Sequence, residues 1–306
     1  MRNVFCQSLV EASRRPEFVF LTGDLGYKAL EPLRDAMGER FINAGVAEQN
    51  MVSVGAGLAR AGLRPWVYSI APFVYARPFE QIRNDVCLHR LPVTLVGNGG
   101  GYGYGVMGAT HHAIEDYGSL LSLPNLRAYL PAFDRDVSDL VNVLFRMNHP
   151  AYLRLGLSEL PAGVESPAFA PWRRLMDGPS WVVVVAGSLV GGIWKALSEL
   201  EAERRPTLWL LSELPVDALP DAFLADLSRA GKLLVVEEHV AHGGVGQMLA
   251  SALLQRGIPP RRFETRCAVG YPSGRYGSQK FHRKECALDP DSIIRLLAEE
   301  GQRDER

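Results

Sequence analysis

Residues 42–62 read INAGVAEQNMVSVGAGLARAG. They combine a strand end, a tight turn and a helix in one run. From residue 46 to 62 the only charges are Glu48 and Arg60, among Ala47, Gly55, Ala56, Gly57, Ala59, Ala61 and Gly62. Glycine in a helix costs about 1 kcal/mol against alanine. A helix that accepts this cost is expected to meet another backbone or a flat ligand closely. Asn43-Ala44-Gly45 supplies the turn out of the apolar strand, and Glu48 heads the helix. An acid in a first turn is favoured by the helix dipole alone. In open α/β sheets, however, ligands sit at the carboxyl ends of strands, which is where Glu48 falls. A carboxylate in a mostly dry contact has to be protonated, paired or used.

Outward from this stretch, short apolar runs alternate with segments of helical period. Strands are predicted at 18–21, 41–43, 65–69, 93–96, 127–130 and 151–154, and helices near 3–13, 47–61, 75–89, 113–122 and 135–147. Continuous apolar strands alternating with helices predict a doubly wound α/β domain. The register breaks over the proline-rich residues 156–180. A second α/β pattern follows, with strands in SWVVVVAG (180–187), TLWLLS (207–212), KLLVVEE (232–238) and RRFETRC (261–267). Its helices are expected near 189–203, 217–230, 244–256 and 290–300. The expected organisation is two doubly wound α/β domains, 1–165 and 177–306, joined by a linker at 166–176.

The 306 residues are 47% hydrophobic and 22% charged, enough apolar material for real cores. A formal net charge of -1, from 33 basic and 34 acidic residues, gives no electrostatic reason to expect nucleic acid or an acidic membrane as partner. Cys6, Cys87, Cys267 and Cys286 are scattered without metal-ligand spacing, which fits a reducing cytoplasm better than a disulfide framework. The opening residues lack the apolar core of a signal peptide, and no apolar run reaches the length of a membrane span. A cytoplasmic protein is expected.

The second chemical candidate is GNGGGYGYGVMGATHHAIEDYGSL (97–120), with seven glycines from Gly97 to Gly108. Residues 103–108 match G-x-G-x-x-G. The match lies too far from its strand and opens no helix at its third glycine, so a dinucleotide site is discounted. A flexible loop closing over a ligand is the better expectation. His111, just after it, is an acid/base candidate. The adjacent His111 and His112 lack the helical spacing of a zinc pair. Gly23-Asp24 and Asn50 are spaced like the ends of a diphosphate–magnesium motif, but Leu25 stands where glycine is needed. Phe73, Tyr75 and Phe79 are either core or a stacking wall for a heteroaromatic ring. The segment EEHVAHGGVGQMLASALL (237–254) could receive an anion at a helix start or serve domain packing. His239 and His242 within it are read as structural.

Three motifs in order, GVAEQNMVSVGAGLA, APFVYARPFEQIRNDV and GATHHAIEDYGSLLSLPNLRAYLPAFDRDV, carry a resemblance to the transketolase and deoxyxylulose-phosphate synthase group. The likeness covers nearly the whole chain. It implies a thiamine diphosphate pyrimidine-binding domain followed by a transketolase C-terminal-type domain, the second half of a split transketolase. The resemblance implies that Glu48 hydrogen-bonds N1′ of the aminopyrimidine, so that an ylid forms and attacks a ketone carbonyl. A two-carbon ketol or acyl unit then passes to an aldehyde or sugar acceptor. It also implies that Phe73 stacks on the pyrimidine, with Ile70 where a second aromatic usually sits. His111 would touch the donor's oxygen, and Arg154 the acceptor's phosphate. Gly99 stands where the family usually has histidine and Met107 where it usually has aspartate, which suggests a different sugar or 2-oxo substrate. Mg2+ and diphosphate ligands are expected on a separate N-terminal-type subunit, with a self-dimer of this chain in an α2β2 assembly. Two alternatives are the β subunit of a 2-oxo acid dehydrogenase and a non-catalytic structural or regulatory subunit.

Overall fold

The apolar runs become buried strands. In the computed structural model, which describes residues 1–26, 29–157 and 159–298, the strands are β1 (Phe18–Thr22), β2 (Phe41–Asn43), β3 (Arg64–Ile70), β4 (Thr94–Asn98), β5 (Arg127–Tyr129), β6 (Ala151–Leu155), β7 (Trp172–Met176), β8 (Val182–Ala186), β9 (Thr207–Leu211), β10 (Glu213–Leu214), β11 (Lys232–Val236) and β12 (Arg262–Arg266). The first sheet has the order β10-β5-β6-β4-β3-β1-β2 and the second β12-β11-β8-β9-β7. Pairing is parallel except at β10 against β5 and β7 against β9. The two doubly wound α/β units expected from the sequence are both present.

Helices of the first unit are α1 (Arg2–Ala12), α2 (Glu31–Met37), α3 (Glu48–Arg60), α4 (Ala71–Tyr75), α5 (Phe79–Gln81), α6 (Asp116–Leu120) and α7 (Asp134–Leu144). Those of the second are α8 (Val190–Ser198), α9 (Asp221–Ala230), α10 (Val245–Gln255), α11 (Gln279–Glu285) and α12 (Pro290–Ala298). Residues 299 and 300 of the predicted closing helix lie outside the described residues. None of the described helices is long and apolar enough to cross a membrane.

The helix predicted over 75–89 is instead α4, α5 and a π-helical turn at Ile82–Cys87. Pro78 lacks an N–H and caps α5, so one continuous helix cannot run through it. The predicted 113–122 helix starts at Asp116, because Ala113 is bridged to Gly101 in the glycine-rich loop. Strand β7 lies in the stretch expected to be linker and pairs with β9, so the second unit begins near residue 172 rather than 177.

The units are not separable beads. One apolar core runs from Leu21, Val67 and Leu95 of the first sheet to Val184, Leu211 and Val235 of the second. Strand β10 also leaves the second unit to extend the edge of the first sheet.

Candidate active site

Adjacent strands β4 and β3, with β2 beyond β1, present their carboxyl ends to one region. At the end of β2, the Asn43 side-chain oxygen accepts from the Gly45 N–H at 2.9 Å, and Gly45 takes a φ of 69°. This turn launches α3 with Glu48 as its first residue. A Cβ added at Gly55 would come 3.1 Å from Val67 on β3, so part of the small-residue stripe lets α3 lie tightly on the sheet. The Glu48 side chain is 7% exposed.

The partner of that carboxylate is Arg77, whose Nη1 donates to Glu48 Oε1 at 2.7 Å. The same guanidinium lies over the Phe73 ring, 3.7 Å from its centroid. Phe73 in turn meets His111 edge-on at 5.3 Å between ring centroids. The His111 Nδ1 shares a 2.9 Å hydrogen bond with the Thr110 hydroxyl. Tyr104 tilts against this imidazole, 5.9 Å between ring centroids, and accepts from Asn98 Nδ2 at 2.8 Å. Burial raises the Tyr104 phenol above its ordinary range, and the Asn98 hydrogen bond opposes the rise. Glu48, Arg77, Phe73, His111 and Tyr104 thus form one continuous track of contacts.

The structure brings the predicted Glu48, Phe73 and His111 together. Ile70 ends β3 and caps α4, half-buried at the start of the segment that carries Phe73. Tyr75 and Phe79, the alternatives for the aromatic wall, pack into the core. Gly99 has a φ of 76°, and a Cβ there would meet the Tyr104 ring at 2.3 Å. The space a side chain at 99 would need is therefore held by Tyr104. Met107 closes a single 3-10 turn and is 54% exposed.

Arg154, expected from the resemblance to meet a phosphate, is engaged within the chain. Its Nε donates to Asp116 Oδ2 at 2.7 Å, and its Nη2 to the Ala113 and Glu238 carbonyls, each at 2.9 Å. A Cβ at Gly100 would lie 2.5 Å from it. Arg154 therefore ties the underside of the glycine-rich loop to both units. The loop itself is packed, not the flexible cover expected. Gly101 exchanges backbone hydrogen bonds with Ala113 at 2.8 and 2.9 Å, and Tyr102 is fully buried. Its glycines answer close approaches: Gly97 to Tyr152, Gly101 to Glu238 and Gly103 to the backbone of Gly99.

The 237–254 segment serves packing between the units. The anion at the start of α10 is Glu237 itself, which accepts from the Val245 and Gly246 N–H groups at 2.7 and 2.9 Å and from the Tyr117 hydroxyl. His239 stacks on Tyr117 at 3.8 Å, accepts from the Gly118 N–H at Nε2 and hydrogen-bonds the Val240 carbonyl at Nδ1. Burial lowers its pKa to about 4. His112 is buried between the Gly105 carbonyl and the Tyr271 hydroxyl, and burial lowers its pKa as well.

Arg77 and Tyr104 join the site without being expected from the sequence. Arg77 stands four residues after Phe73, but in the turn between α4 and α5, where a lone basic residue reads as solvated surface and gives no usable signal. Tyr104 has none either, because loop folding alone brings it to His111.

Residues 2–162 match the family model described as "Transketolase, pyrimidine binding domain". The chain is 31% identical to a B-type subunit of the apulose-4-phosphate transketolase of Phocaeicola vulgatus, over 85% of each chain. It is 30% identical to the 1-deoxy-D-xylulose-5-phosphate synthase of Myxococcus xanthus, over 95% of this chain and 50% of that one. Among solved structures it resembles a split-gene transketolase described as an inactive β4 tetramer, with a TM-score of 0.81, 26% identity, and coverage of 97% of this chain and 96% of that one.

Proposed function

The chain belongs to the transketolase family through its pyrimidine-binding domain, and from that premise we propose that it supplies the pyrimidine half of a thiamine diphosphate site completed by a separate diphosphate-binding subunit. The assembled enzyme transfers a two-carbon ketol or acyl unit from a ketose or 2-oxo donor to an aldehyde or sugar acceptor. The carrying observation is the slot between Glu48 and Phe73. A flat cation with an N–H edge already sits there, stacked 3.7 Å from the ring centroid and bonded to the carboxylate at 2.7 Å. The residues present therefore fit an aminopyrimidine, which offers the same flat face and a ring-nitrogen edge that can share a proton with the carboxylate.

Thiamine diphosphate, when bound, supplies the nucleophilic carbon that carries the two-carbon unit. This chain's own residues then have defined tasks. Glu48 holds a proton at the ring nitrogen N1′, in a position too dry for water to compete. Phe73 sets the plane of the ring, and half-buried Ile70 adds apolar surface. His111, steadied by Thr110 at Nδ1, presents its remaining nitrogen to move a proton at the donor's oxygen. Arg154 acts as a positioning residue beneath the glycine-rich loop. Mg2+ and diphosphate ligands are assigned to the partner subunit, and an α2β2 assembly is proposed.

Gly99 and Met107 place no charge beside the site, which favours a donor other than the common phosphorylated ketoses. The likeness to the Phocaeicola vulgatus enzyme suggests apulose 4-phosphate as the first donor to assay. The relatives' names, a transketolase subunit and a deoxyxylulose-phosphate synthase, favour two-carbon transfer over 2-oxo acid dehydrogenation. A non-catalytic role for the chain acting alone draws support from the relative described as an inactive β4 tetramer. The test is an assay of the two-subunit complex with thiamine diphosphate, Mg2+ and a panel of ketose and 2-oxo donors. Turnover that disappears in Glu48→Gln supports the proposal; turnover indifferent to that change rejects it.

A further inference from the structure

We propose that Arg77 is a placeholder for the pyrimidine ring, filling the Glu48–Phe73 slot in the unloaded chain and swinging out when a ligand enters. This rests on the reading of that slot as the pyrimidine site. Glu48 is 7% exposed, and a carboxylate so buried is costly without a cationic partner. Arg77 is that partner, yet its own side chain is 44% exposed. It therefore borders open water into which it can move, while Glu48 cannot follow it. The arginine makes two contacts there, a stack on Phe73 and an N–H to Oε1. A flat protonatable heteroaromatic would make the same two. The ligand and the guanidinium compete for one ring face and one carboxylate oxygen.

Two consequences follow. The slot always holds a cation, so α3 keeps its buried acid paired whether or not ligand is present. The slot is also selective, because a ligand must offer both a flat face and an N–H edge to displace Arg77. A group that is bulky, or that cannot place a shared proton against the carboxylate, recovers only one contact and leaves Glu48 unpaired. Held in place by a partly exposed ion pair and a cation–π contact, Arg77 is expected to weaken ligand binding by about tenfold.

The experiment measures thiamine diphosphate binding by calorimetry, with excess Mg2+, on the chain purified with its diphosphate-binding subunit. Wild type is compared with Arg77→Gln, Arg77→Lys and Glu48→Gln, and the melting temperature of each cofactor-free chain is recorded. Arg77→Gln is expected to melt lower than wild type without cofactor and to bind about tenfold tighter. Arg77→Lys keeps the charge without the plane and should fall between. Glu48→Gln should bind more weakly. If Glu48→Gln weakens binding while Arg77→Gln leaves it unchanged or weakens it too, the placeholder is wrong and the site reading stands. If Glu48→Gln has no effect, or no variant binds saturably, the site reading itself fails.

Discussion

At the scale of single residues, the proposed chemistry rests on Glu48 and its neighbours. Glu48→Gln keeps shape and hydrogen bonding but cannot accept a proton, so kcat of the complex should fall by about 10²–10⁴-fold with the circular dichroism unchanged. His111→Asn should lower kcat by about 10²-fold, with the loss concentrated on the donor half-reaction in single-turnover measurements. Both positions are legible in the sequence, Glu48 as a lone acid among small residues and His111 as the first histidine after a glycine-rich run. Arg77 is not, although it bonds Glu48 and stacks on Phe73. A single basic residue in this segment reads as solvated surface, and its side chain is in fact 44% exposed. Only the fold shows that its guanidinium reaches back over the Phe73 ring. Arg154, which the resemblance assigns to an acceptor's phosphate, has its guanidinium engaged by Asp116 on α6, a contact that no local sequence pattern announces.

Elements depend on contacts that apolar periodicity does not encode. Arg173 on β7 forms a double-ended pair with Asp136 on α7 at 2.6 and 2.7 Å, and Asp136 also accepts from the Ala132 and Phe133 N–H groups. Two consecutive arginines inside a strand break the apolar run, which is why β7 reads as linker. Removing one partner leaves the other charge buried, so Asp136→Ala should destabilise by about 3–5 kcal/mol in urea unfolding. The glycine-rich loop reads from its composition as mobile, whereas close approaches account for its glycines. Gly103→Ala places a Cβ 2.9 Å from the Gly99 backbone. It should cost about 1–3 kcal/mol and loosen Tyr104 from His111, seen as faster amide exchange across residues 99–112. The strongly apolar strands are legible almost to the residue, because full burial leaves them no polar positions. The short helices α2 and α11, with few buried residues each, are not.

The whole molecule is one unit joined by polar groups under the loop. His239 and His112 both stand at this junction, and burial lowers the pKa of each. In the folded chain His239 stays neutral down to about pH 4, while the unfolded chain takes up a proton near its ordinary 6.5. The stability it carries is therefore complete above pH 6.5 and lost as pH falls from there toward 4, a change on the order of 3 kcal/mol from His239. The melting temperature should accordingly drop between pH 7 and pH 4.5, and His239→Gln should flatten that slope. The division into two α/β units is readable in the sequence, but their fusion is not. Strand β10 has two residues, and the shared core is made by side chains far apart in the chain. In the assembled molecule this chain is proposed to offer half of a cofactor site. The most direct test is calorimetric titration of thiamine diphosphate, with Mg2+, into the chain alone and into its complex with a diphosphate-binding subunit. Saturable binding in the complex and none in the isolated chain is the result expected. Absence of saturable binding in the complex would contradict the account.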